Sequence, residues 1–190
     1  MSYLRVFNGL LQALLSRSIT AALMCTILVF SLNAQAAPSK SYQVKAGYLL
    51  HFASYVTWPD ENLFRIRLCI VGDDPFGDYI DEMVAAKPQT RQGLPIVVSR
   101  KNVGEALTLC QIVYTAEDSV SDQFWSSLNS QQHTLLVGEG DEYLYSPGMV
   151  RFFVREKYVR LEINLQRVLD AGLTISSELL KISTITSDAS

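Results

Sequence analysis

Apolar residues recur at spacings of three and four from residue 39 to 58, at Val44, Tyr48, Leu49, Phe52 and Val56. This pattern predicts an amphipathic helix closed by Pro59. Short apolar runs follow. "IRLCIVG" loses its polar alternation after Cys69, as a strand buried on both faces does, and "LPIVVS", "CQIVYTA" and "HTLLVGEG" read as further strands. Between them, "PFGDYIDEMVAAK", "NVGEAL" and "SDQFWSSLNS" read as helices. Strands alternating with helices predict an α/β fold with a mainly parallel central sheet flanked by helices.

The period changes after residue 148. "MVRFFVREKYVRLEIN" alternates large and charged residues about Glu156 and Lys157, which predicts a C-terminal antiparallel hairpin. Val150, Phe152 and Val154 share one face of its first strand; Val159, Leu161 and Ile163 share one face of its second. Asn164 is placed to cap the helix "LQRVLDAG" and Gly172 to end it. Ser176 opens a last helix with apolar Leu179, Leu180 and Ile182, and the polar tail "STITSDAS" reads as frayed.

The amino end has a different composition. Residues 1–36 carry Arg5 and Arg17, no acidic residue, an uncharged run over residues 19–32, and Ala34-Gln35-Ala36. These are the parts of a cleaved secretory signal peptide with the cut after Ala36. A retained signal anchor is the competing reading, although the run is shorter than a span of about 20 residues. A lipid anchor at Cys25 is disfavoured because Met24 precedes it where a small residue is needed.

Export leaves residues 37–190 as a single domain. Loss of the two arginines takes the formal charge from −3 to about −5, and no basic run offers a grip on a nucleic-acid backbone. Cys69 and Cys110 then remain as an even pair in an oxidising compartment. They form either a disulfide across two neighbouring strands or two buried thiols, and export favours the bond. Neither they nor His51 and His133 show metal-ligand spacing.

The acidic loop "GDDPFG" at residues 72–77 ends a buried strand, where doubly wound folds collect ligands. A metal or phosphoryl role would need an acceptor aspartate at another strand end, and the third strand ends in Thr115 and Ala116. The plainer reading makes Asp74 the N-cap and Pro75 the first residue of the next helix. No "GxSxG", "HExxH" or phosphate-cradling loop occurs, so no enzyme, cofactor or catalytic residue is assigned.

Four segments together carry a family resemblance: "VKAGYLLHFASYVTWP", "LCIVGDDPFG", "LCQIVY" and "GMVRFFVREKYVRLEINLQRVLDAGLTISSELLKI". From about Ser41 to Ile182 the chain resembles the YfiR family of periplasmic regulators. The resemblance implies an α/β domain that dimerises and binds the periplasmic portion of an inner-membrane diguanylate cyclase. It implies a repressor of cyclic-di-GMP synthesis and biofilm formation, relieved through an outer-membrane lipoprotein. Cys69 and Cys110 match the family's strand cysteines, while the second disulfide of some members has no cysteines here.

A partner surface is placed on the hairpin and the helix after it. Phe152, Phe153, Tyr158 and Val168 interleave there with Arg151, Arg155 and Arg160, while Glu162 and Asn164 belong to the "EIN" segment that matches the family. The alternative is that the aromatics fill the core and the arginines face water. A periplasmic small-molecule sensor, with its ligand at the strand ends near Gly72 and Gly138, is the second functional reading.

Overall fold

The computed structural model describes residues 37–116, 124, 128, 133–140, 143–144 and 147–187. Residues 1–36, read from the sequence as a signal peptide, most of the helix read at residues 121–130, and residues 188–190 of the tail lie outside them. Phe124 and Leu128 of that helix are described, and both are buried in helical conformation.

Helix α1, Lys40–Tyr55, buries Ala46, Leu49, Leu50, Phe52 and Ala53. Its buried stripe is rotated from the predicted one: Val44 is exposed and Lys45 is inside. The helix also stops short of Pro59. Val56 and Thr57 form β1, Val56–Thr57, which pairs antiparallel with β8, Thr174–Ile175. These β-branched residues gain a strand partner, and Trp58 before the proline is disfavoured in a helix.

The strands that follow are β2 (Ile66–Val71), β3 (Ile96–Lys101), β4 (Ile112–Thr115) and β5 (Leu135–Glu139). The hairpin supplies β6, Val150–Arg155, and β7, Tyr158–Asn164; β9, Thr184–Thr186, is last. They make one seven-stranded sheet in the order β3-β2-β4-β5-β6-β7-β9. Every pairing is parallel except β6 with β7; the pattern predicts this for the strands up to β7 and does not predict β9. β2 and β4 are flanked on both sides and bury nearly every residue, whereas β3 at one edge buries only Ile96.

Helix α2, Asp78–Ala86, begins after the predicted start. The Asp74 carboxylate accepts from the backbone N–H of Phe76 (2.8 Å) and Gly77 (3.2 Å), so it closes the turn before the helix. Gly77 then enters α2 at φ +52°, a conformation that suits glycine. The helix predicted at residues 102–107 is a turn. Glu105 accepts from the Asn102 N–H, and Gly104 sits at φ +93°.

The hairpin matches its prediction closely. Glu156 and Lys157 are its two turn residues, at φ +54° and +69°, the left-handed pair a type I′ turn requires. Val150, Phe152 and Val154 stand opposite Ile163, Leu161 and Val159, so both apolar sets lie on one face of the sheet. Asn164 accepts from Arg167 N–H and caps α3, Leu165–Asp170; Gly172 at φ +76° follows its end. Ser176 caps α4, Ser177–Leu180. The tail departs from expectation: Thr184–Thr186 is not frayed but pairs with Glu162–Asn164.

On the α1 side, Phe52, Phe152, Tyr114 and Phe76 form a chain of rings with centroids 4.8–6.4 Å apart. Cys69 in β2 and Cys110 before β4 are joined in a disulfide, with Cα atoms 5.8 Å apart and both residues buried.

Candidate functional site

The hairpin sorts the sequence-predicted partner residues by the pleat of its strands. Phe152 is buried, with Phe52 and Tyr48 rings each 6.0 Å away. Val168 is fully buried on α3, and Asn164 is buried with its side chain committed to the cap. These three build the scaffold, so in this chain they present no surface.

The other four lie on the opposite face. Arg151 and Glu162 are cross-strand neighbours joined by a hydrogen-bonded ion pair, with Nε 2.9 Å from Oε2. Arg151 also lies 5.1 Å from the Phe153 ring. Tyr158 is 65 % exposed, and the Arg160 guanidinium lies 5.6 Å from its ring. The outer face of the hairpin, and of β7 in particular, is thus aromatic and cationic, above a buried apolar face.

A groove of about 660 Å³ opens beside that strand. Arg155, Glu156, Arg160 and Leu161 line it from the hairpin, Lys181 and Ser183 from the turn between α4 and β9, and Thr184 from the start of β9. Its cations come from two segments, whereas Glu156 is the one acidic residue among its described lining residues. The hairpin half was legible as a surface in the sequence. The Lys181–Thr184 half was not, because Ile182 read as part of the last helix and residues 183–190 as a frayed tail.

The carboxyl ends of the parallel strands are occupied from within. Glu139 at the end of β5 is held by Lys45 of α1 and by the Tyr114 hydroxyl of β4, and Lys45 lies 4.3 Å from the Tyr42 ring. The pair is sequestered, with Lys45 and Glu139 side chains 5 % and 11 % exposed. Burial first, and then the Glu139 charge, push the Tyr114 phenol well above its ordinary pKa. Burial raises that of Tyr143 too.

Tyr143 covers the backbone at Gly138: a Cβ there would fall 1.9 Å from its ring, and one at Gly148 would fall 2.1 Å from the Tyr143 carbonyl. Only glycine fits either position. At the end of β3, Arg100 reaches over the acidic loop to Asp74 (2.7 Å), Asp81 (2.6 Å) and the Gly77 carbonyl (2.8 Å). The Asp81 hydrogen bond in particular raises the Arg100 pKa against the cost of partial burial. The acidic loop therefore has a structural occupation, and the proposed ligand position near Gly138 is filled by Tyr143.

Lys45 and Glu139 escaped sequence reading because they are 94 residues apart. The available signal was a lysine one turn before Leu49 on an apolar helix face. His51 stacks on Tyr55 with ring centroids 5.6 Å apart, and His133 occupies a turn at φ +61° beside Gly172. Among the described residues no group of three His, Cys, Asp or Glu is placed to hold a metal ion, and no helix is long and apolar enough to cross a membrane.

No curated protein matches the chain. The YfiR/HmsC-like family model matches residues 42–184, a span running from α1 to the first residue of β9 that holds the disulfide, the occupied strand ends and the hairpin. On that match the chain belongs to the YfiR/HmsC-like family.

Proposed function

We propose that the chain is a periplasmic negative regulator, exported by its cleaved leader as residues 37–190, that binds the periplasmic portion of an inner-membrane diguanylate cyclase. By holding the cyclase inactive it restrains cyclic-di-GMP synthesis and biofilm formation, and an outer-membrane lipoprotein relieves the restraint by competing for it. It acts as a homodimer. The observation that carries this reading is the family match over residues 42–184.

The geometry supports a binding protein whose partner is another polypeptide. Its strand ends, where a doubly wound sheet would take a small ligand, are filled by Tyr143, Lys45 and Arg100. Its exposed aromatic and cationic groups, Tyr158 and Arg160, stand on the hairpin beside a groove, a composition that suits protein interfaces. Arg151 and Glu162 fix the strand that presents them.

The test is affinity capture of the tagged chain from membranes of the native host, followed by identification of co-purified cyclase. The wild-type chain should retain a diguanylate cyclase, and Tyr158→Ala with Arg160→Glu should lose it while remaining folded. Equal retention by both would remove the hairpin from the interface; recovery of no cyclase by the wild type would contradict the regulator reading. The sensor reading instead calls for a thermal shift that saturates with one metabolite.

A further inference from the structure

The outer edge of β7 is only half covered. β9 pairs with Glu162, Ile163 and Asn164 and leaves Tyr158–Leu161 without a neighbouring strand on that side among the described residues. Alternation decides which backbone groups are open there. Asn164 donates its N–H to Met149 on the β6 side, so the even-numbered residues of β7 bond inward and the odd-numbered ones outward. The Thr186 hydroxyl reaching the Ile163 carbonyl from β9 agrees with this. Val159 therefore points both backbone groups, and Leu161 its N–H, outward along the open edge of the sheet, and Leu161 lines the groove there.

That groove has the charge of a site for an acidic strand. It continues the line of β9 past Thr184, is walled by the turn at Lys181–Ser183, and carries Arg155, Arg160 and Lys181 against Glu156. None of the three cations has an ion-pair partner among the described residues. Ile182, exposed, gives the groove an apolar contact. An exposed edge with unpaired amides is a template for strand addition, and natural edges are normally blunted or covered.

We infer that the free half of β7 is a strand-addition site for an extended acidic peptide segment of a partner protein. The segment pairs with Val159 and Leu161 while its carboxylates face Arg155, Arg160 and Lys181. Main-chain bonding supplies affinity without demanding a sequence, and the three cations select an acidic segment over a basic one. This rests on the regulator reading and specifies how its partner is held.

Backbone amide exchange on the purified chain tests it, using two synthetic eight-residue peptides that alternate valine with either glutamate or lysine. The glutamate peptide should slow exchange at Val159 and Leu161, and the lysine peptide should not. Arg160→Glu with Lys181→Glu should weaken the glutamate peptide about tenfold or more and reverse its salt dependence, so that added salt no longer weakens the residual binding. Binding that leaves both amides unprotected, or equal binding of the two peptides, overturns the proposal. Concentration-dependent protection without peptide overturns it in favour of a second copy of this chain. In cells, a double variant that still lowers cyclic-di-GMP refutes the edge while leaving the regulator reading intact; a wild-type chain with no effect on cyclic-di-GMP refutes the regulator reading instead.

Discussion

Replacing both Cys69 and Cys110 with alanine should destabilise the fold without altering the hairpin. The bond closes a loop between residues 41 apart, and removing that closure from the unfolded ensemble costs about 4 kcal/mol by the chain-entropy relation. For a domain near 150 residues this lowers the melting temperature by about 8–16 °C. Position argues for a purely stabilising role. The bond joins β2 to the segment before β4, and β7 lies three strands from β4, about 14 Å at ordinary strand spacing. Urea unfolding of the oxidised wild type, the reduced wild type and the double alanine variant would measure the loss. The reduced wild type and the variant should lose similar stability, and the variant should not respond to reductant. A loss below about 1 kcal/mol would refute the loop-closure argument. Normal stability with lost cyclase restraint would show instead that the bond is a switch.

Further consequences follow from the buried polar groups and the turn. Lys45→Met should cost about 3–5 kcal/mol by leaving Glu139 unpaired, and adding Glu139→Leu should recover much of it, as urea unfolding would show; strictly additive losses would deny the coupling. Glu156→Asn with Lys157→Gly should stabilise the hairpin by about 1 kcal/mol by relieving two left-handed non-glycine residues, read as a higher melting temperature; an unchanged one would mean that the turn is unstrained. Tyr114 and Tyr143 keep phenolic protons in the folded state that the unfolded chain releases above the ordinary value of 10.0. Their contribution is fully present below about pH 10 and falls as pH rises through the raised values. The unfolding midpoint should decline above that pH, and less steeply in Tyr143→Phe; an identical slope would exclude Tyr143 as a source.

Local patterns carried most of the fold. The hairpin was legible because alternation and a two-residue connection are both encoded within sixteen or so neighbouring residues, and its register follows from them. The parallel strands were legible because β2 and β4 are apolar without alternation. Elements that depend on distant partners were not. β9 has one apolar residue, Ile185, which is itself 44 % exposed; its strand conformation comes from β7. "NVGEAL" has helical composition, but Glu105 bonds the Asn102 amide and Gly104 turns the chain away. The candidate site divides the same way. Alternation separates Tyr158 and Arg160 from the apolar face that holds Phe152, and the cap role of Asn164 was legible too. The packing of α1 and α3 was needed to show that Phe152, Asn164 and Val168 are buried and give no partner surface. The groove required β9, and so lay beyond sequence reading.

The central claim is that this YfiR/HmsC-like chain restrains a diguanylate cyclase from the periplasm. Its most direct test is cellular cyclic-di-GMP in a deletion strain, with and without complementation by the full chain including residues 1–36. The account predicts a rise on deletion that complementation reverses. An unchanged level, under conditions where the protein is demonstrably expressed, would contradict it.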